Sequence, residues 1–148
     1  MKIAIGADHG GYALKETVKA HLEQKGIEIL DCGTFDEQSV NYAPIAKSVA
    51  EKVVSGICDR GILVCGTGIG MSMAANKVKG IRAAVCGDCF SAKYTRLHND
   101  ANILCMGARV TGAGLALEIV DLFVETGFEG GRHTARIEEI AAIENGQL

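Results

Sequence analysis

Val64-Cys65-Gly66-Thr67-Gly68-Ile69-Gly70-Met71-Ser72 is the stretch that decides the fold. Gly61-Ile62-Leu63-Val64 leads into it, a short apolar run that reads as a buried strand. Met71 to Val78 follows and reads as a helix. A glycine-rich turn therefore carries the chain from strand to helix. Its three glycines let the backbone adopt φ > 0 and come close to a ligand. Free N–H groups in such a turn suit an anion or a developing oxyanion. Cys65 stands at the mouth, the place of a reactive thiol. The expected chemistry is a loop that holds negative charge on a reacting oxygen while Cys65 moves a proton.

The same pattern recurs on either side. Lys2 to Ile5 is a strand that runs into Gly6-Ala7-Asp8-His9-Gly10-Gly11, and Leu14, Val18 and Leu22 then mark one helix face. Gly26 closes that helix, and Ile27 to Leu30 is the second strand. Pro44 falls in the first turn of the next helix, with Ile45, Val49 and Val53 on its stripe and Gly56 at its end. Downstream, Ile81 to Cys86 reads as the fourth strand, Asp88 as an N-cap, and His98-Asn99-Asp100 as a polar turn. Ala101 to Met106 is the fifth strand. Thr111 caps a helix marked by Leu115, Ile119 and Phe123, and Thr134 caps a last helix with Ile137, Ile140 and Ala141 on one face.

Five strands alternating with helices, without a hairpin signal, predict a parallel sheet covered on both faces. The expected architecture is a three-layer α/β/α Rossmann-like fold with a C-terminal helix extension, one domain over residues 1–148. Ligands in such sheets bind beyond the carboxyl ends of the strands. Those ends carry Asp8-His9, Cys65-Gly66-Thr67, Gly87-Asp88 and Gly107-Ala108-Arg109.

Net charge is −3 and there is no basic run, which argues against nucleic acid as the main partner. The apolar runs are too short to span a bilayer. A strand begins directly at Met1, so no leader is expected, and six cysteines then suit reduced thiols and a cytoplasmic location. The helix from Met71 carries little charge on any face, which predicts cover by a second copy of the chain.

Three chemistries compete for these residues. A dinucleotide site has Gly66-Thr67-Gly68 and Asp88 in its favour, but Met71 stands where the third glycine belongs and the motif follows the third strand rather than the first. A dithiol reading rests on Cys86-Gly87-Asp88-Cys89 between a strand and a helix. One such pair without a second Cys or His pair is a weak signal for zinc. Asp8, His9 and His98 each also read as turn or cap residues, and Arg132 with Arg136 as a solvated helix face. Together they supply the parts of a site for a phosphate-bearing substrate.

Gly6-Ala7-Asp8-His9-Gly10-Gly11, Cys65-Gly66-Thr67-Gly68-Ile69-Gly70, Ala74-Ala75-Asn76-Lys77 and Leu97-His98-Asn99-Asp100-Ala101-Asn102 resemble ribose-5-phosphate isomerase type B. That family also holds galactose-6-phosphate and allose-6-phosphate isomerases. The resemblance covers essentially the whole chain. It implies an aldose–ketose isomerase that needs no metal or other cofactor, working as a homodimer or dimer of dimers with active sites shared between subunits. It implies Cys65 as the base acting through a cis-enediolate, with an oxyanion hole along Gly66, Gly68, Ile69 and Gly70. Asp8, Thr67 and His98 then open the sugar ring and handle hydroxyl protons. His9, Arg132 and Arg136 match phosphate-binding positions, with Arg109 beside them, and Tyr42 and Asn99 match substrate contacts. Asn41-Tyr42-Ala43-Pro44 departs from the family's usual Asp-Tyr-Pro run, and Met71 stands where some members place a glutamate base. The alternative that the resemblance leaves open is an isomerase of a six-carbon sugar phosphate or of a free aldose, of the allose or galactose type.

Overall fold

The computed structural model describes residues 1–148. Strands β1 (Lys2–Ala7), β2 (Glu28–Asp31), β3 (Arg60–Cys65), β4 (Ala83–Val85) and β5 (Ile103–Gly107) form one sheet. Between and after them run α1 (Tyr12–Gln24), α2 (Tyr42–Val54), α3 (Ile69–Ala75), α4 (Cys89–Asn99), α5 (Ala113–Glu125) and α6 (Arg132–Glu144). The order across the sheet is β2-β1-β3-β5-β4, and every neighbouring pair is parallel. The fold is the α/β Rossmann-like architecture expected from the alternation.

Period-two alternation divides the core. Ile3, Ile5, Ile62 and Val64 pack with α1, α4 and α5 residues such as Val18, Ala92 and Phe123. Ala4, Leu63 and Cys65 point the other way, onto Ile45 and Val49 of α2 and Met71 of α3. The direction of chain travel reverses between β1 and β3, where β1 leads outward to β2 and β3 leads to the opposite edge. Register sets Ala7 beside Val64 and Cys65 beside Gly107. The three turns that follow β1, β3 and β5 therefore form one rim at the carboxyl edge of the sheet.

This rim is tightly packed. A Cβ on Gly11 would lie 2.3 Å from the Val64 carbonyl oxygen, so no larger residue fits where the first turn crosses β3. Behind the rim, Lys15 is fully buried and donates to both oxygens of Asp31 at 2.9 and 2.8 Å and to the Thr34 carbonyl at 2.8 Å. Asp31 also accepts from the Gly33 N–H and from Lys19. Backbone bonds then join Gly33 and Thr34 to Ala7, so the buried ion pair fixes the loop against the end of β1.

Several local expectations shift. α4 runs through His98 and Asn99 rather than stopping at Leu97, and Asp100 ends it in the left-handed region at φ 45°. Asp100 tolerates that conformation because Arg96 and Arg82 both pair with its carboxylate. Gly112, not Thr111, precedes α5, and α6 begins at Arg132, ahead of Thr134. β4 is only three residues long. α3 starts and ends early, and Asn76 beyond it exchanges two side-chain bonds with the Ala83 backbone, at 2.9 and 2.8 Å, which anchors β4.

Candidate active site

β3 delivers Cys65 to the rim, 5% exposed. Gly68, at φ 80°, turns the chain back so that its N–H donates to Cys65 Sγ at 3.0 Å. An amide dipole is thus aimed at the sulfur. The Ile69 N–H donates to Thr67 Oγ1 at 3.3 Å. The amides of Gly66, Thr67, Gly70 and Met71 have no acceptor in the chain. The Gly66 and Gly70 amides are therefore free donors. Gly68 and Ile69 already serve internal acceptors, and Met71 supplies a donor that the glycine pattern does not announce.

Burial is the largest cause that raises the proton affinity of the Cys32, Cys58, Cys86, Cys89 and Cys105 thiols. It pushes Cys86 up to about 11 and Cys105 higher still, the Cys65 sulfur adding to the effect on Cys105. These are core-filling thiols. Cys89 is also pushed up, by burial and by its contact with Glu118. That is the opposite of what a redox dithiol needs, so Cys86-Gly87-Asp88-Cys89 reads as structure. Asp88 spends its carboxylate as the N-cap of α4, accepting from the Ser91 N–H at 2.7 Å.

The rim gathers the first half of the expected site around Cys65. Asp8 is buried and accepts from the Gly10 and Gly11 amides at 2.9 and 3.1 Å. His9 is exposed, and its Nδ1 accepts from the Val40 N–H at 3.3 Å, which leaves Nε2 as the outward donor. Arg109 lies over the glycine turns: a Cβ on Gly66 or Gly10 would sit 3.3–3.5 Å from its side chain. The Tyr42 ring packs on the first turn of α3, 2.9 Å from where a Gly70 Cβ would stand.

The second half lies elsewhere in the chain. His98 and Asn99 end α4, just before β5 begins, whereas Cys65 is level with the last residue of β5. The length of β5 alone puts about 13 Å between those levels. His98 and Asn99 line a hollow of about 290 Å³ with Val85, Phe90 and Tyr94, away from Cys65. Arg132 and Arg136 lie on the first turns of α6, beside the end of α4. His98 stacks on His133 with ring centroids 4.1 Å apart, and Tyr94 meets His98 edge-on. Glu129 Oε2 is 3.6 Å from Nε2 of each histidine. Burial, with the charges of His98 and Arg132, pushes the His133 imidazole below its ordinary value. Reading residues one by one missed Glu129 and His133, although their spacing of four was visible.

A sequence profile of the Ribose/Galactose Isomerase family matches residues 3–140. The chain belongs to the ribose/galactose isomerase family. It is 50% identical to ribose-5-phosphate isomerase B of Escherichia coli, with 97% of this chain and 96% of that protein aligned. It matches the structure of ribose-5-phosphate isomerase B from Clostridium thermocellum with a TM-score of 0.98 at 53% identity, covering all of both chains. The Mycoplasma genitalium ribose-5-phosphate isomerase B, solved with bound ribulose-5-phosphate, is 40% identical with a TM-score of 0.92, covering 97% and 96% of the two chains. The enzyme class of this family is aldose–ketose isomerase, and no helix of the present chain is long and apolar enough to cross a membrane.

Proposed function

We propose that this chain, acting as a single sugar-phosphate isomerase domain, interconverts ribose 5-phosphate and ribulose 5-phosphate. The observation that carries the reading is Cys65 Sγ held beside a turn with free backbone amides. Cys65 takes the proton from C2 of the open-chain sugar and returns it at C1. Between those events the substrate is a cis-enediolate, and the hydroxyl proton passes between O2 and O1. Protons and electrons balance within the substrate, so the step calls for no redox cofactor. The Gly66 and Gly70 amides, with Met71, stabilise the oxyanion, at about 3–4 kcal/mol for a well-aimed donor. Asp8, Thr67 and His98 open the ring and carry hydroxyl protons. Tyr42 and Asn99 contact the sugar.

His9, Arg109, Arg132 and Arg136 hold the phosphate. Planar guanidinium forks suit its oxygens. Because His98, Asn99, Arg132 and Arg136 lie at the other end of the sheet from Cys65, the complete site takes two chains, each giving its α4–α6 corner to the other's rim. A homodimer is the minimum unit, and a dimer of dimers fits equally.

Proton NMR of the protein with ribose 5-phosphate in D₂O, with EDTA present, tests the activity. Ribulose 5-phosphate should appear with solvent deuterium at the transferred position. If it does not, and four- and six-carbon sugar phosphates and free aldoses also give no product, the isomerase reading fails. Preferential turnover of a six-carbon phosphate would keep the chemistry and correct the substrate.

A further inference from the structure

The corner between α4 and α6 contains the one buried side-chain polar atom of the chain without a hydrogen-bond partner, His133 Nε2. His133 is 3% exposed. A buried polar group left without a partner destabilises the fold, so its surroundings bear on what completes it. Glu129 Oε2 and His98 Nε2 are the neighbouring groups, and the three ligand atoms all lie within 4.8 Å of one another. The two Glu129 distances, 3.6 Å each, are too long for hydrogen bonds. They are close to the edge of a coordination tetrahedron, about 3.3–3.5 Å for ligand bonds of 2.0–2.2 Å.

The backbone holds these residues in place. The Glu129 N–H donates to the Leu97 carbonyl at 3.0 Å and the His133 N–H to the Gly130 carbonyl at 3.1 Å, which ties the loop to the last turn of α4. The two ring planes lie only 13° from parallel with centroids 4.1 Å apart, and an imidazole lone pair lies in its ring plane, so the stacked rings cannot both aim at one ion. Coordination therefore requires His98, about a third exposed, to turn out of the stack toward the fixed His133, with Glu129 following.

We propose that His98, Glu129 and His133 form a binding site for a divalent transition-metal cation of borderline softness, such as zinc or cobalt(II), and that the bound ion withholds His98 from the sugar. Two imidazoles and a carboxylate suit such ions and leave one position open to water. The second part rests on the assignment of His98 to ring opening, because one Nε2 lone pair cannot serve metal and substrate together.

Cobalt(II) alone, titrated calorimetrically into the full-length protein and followed by its absorption spectrum, separates this site from the thiols. One ion should bind per chain without a thiolate charge-transfer band, and Glu129→Gln and His133→Gln should each weaken binding at least tenfold. No binding, unchanged binding in Glu129→Gln, or a thiolate band overturns the site. Glu129 is half exposed, so its variant remains informative if His133→Gln fails to fold. Turnover of ribose 5-phosphate forms the second arm. Wild type should lose activity as the site fills and recover it with EDTA, while Glu129→Gln resists. Full activity with the site filled overturns the withholding of His98 and leaves the site standing. No activity in metal-free wild type is instead a failure of the proposed function, and the titration still decides the metal.

Discussion

The rim around Cys65 and the corner around His98 are built by different means. The rim is backbone: turns packed against strand carbonyls, amides aimed at a sulfur, and a fully buried lysine behind. The corner is side chain: stacked imidazoles, a half-exposed carboxylate and two arginines on the first turns of α6. Backbone geometry holds a transition-state charge without reorganising, whereas long side chains recognise a group that arrives. Under the proposed function this becomes a division of labour: the rim carries the proton transfer at Cys65, and the corner adds His98, Asn99 and two arginines to the ring-opening and phosphate contacts that Asp8, Thr67, His9 and Arg109 begin.

The sharpest way to break this comparison is Cys65→Ala. Losing a positioned base lowers kcat by about 10²–10⁴-fold, while phosphate recognition through the arginines is kept. Solvent deuterium exchange at C2 in the variant, with phosphate binding read separately by calorimetry, checks both halves. Turnover near that of wild type would show that the rim does not do the chemistry.

Next in size is a restoration. Cys65→Ala and His98→Asn should each be nearly inactive alone. If rim and corner meet only between chains, a mixed dimer has one doubly impaired site and one intact site. Unfolding and refolding the two variants together then returns about a quarter of wild-type activity, since half the dimers are mixed and half their sites are whole. No recovery, with mixed dimers present by mass spectrometry, would place the complete site within one chain.

How far each region was legible follows from the same contrast. Glycine is needed where a side chain collides, so Gly11 and Gly68 mark the rim in the sequence itself. The parallel sheet was legible for a related reason: consecutive apolar residues such as Ile62, Leu63 and Val64 need cover on both faces. The corner gave weaker signals. His98 and Asn99 look like a turn beside Asp100, but α4 continues through them because Asp100 bears the left-handed residue with arginine support. Thr111 and Thr134 look like caps by residue type, and glycines stand at both helix starts. Nothing in the one-dimensional pattern tells that Glu129 reaches both histidines, because that contact depends on how α6 docks on α4.

Arg136→Ala sharpens the corner's side of the comparison. A charge-assisted hydrogen bond to phosphate contributes about 1.5–3 kcal/mol, which is roughly a 10- to 150-fold rise in KM with a smaller change in kcat. Steady-state kinetics decide it. A fall in kcat with KM unchanged would move Arg136 from recognition into the chemistry.

The smallest expected effect is acid sensitivity confined to the rim. Burial by itself raises the Asp31 carboxyl, but Lys15, the Gly33 N–H and Lys19 outweigh it and hold the group below its ordinary value of 3.8. A carboxylate with a depressed folded pKa stabilises the fold above its unfolded value and loses that contribution as pH falls through the folded one. The Lys15 pair is therefore intact at neutral pH and weakens below about pH 4. What loosens first is the segment it ties down, Gly33 and Thr34 against Ala7, and with it the Val40 amide on His9. Hydrogen exchange at falling pH should show earlier loss of protection over residues 31–40 in wild type. Asp31→Asn should show the same loss already at pH 7, because Lys15 then loses its buried counter-charge and keeps only the half-exposed Glu16 carboxylate at 3.0 Å. Equal protection of that segment in the two proteins at neutral pH would mean that the rim is held by its glycine packing alone, and the ion pair would have no part in what distinguishes rim from corner.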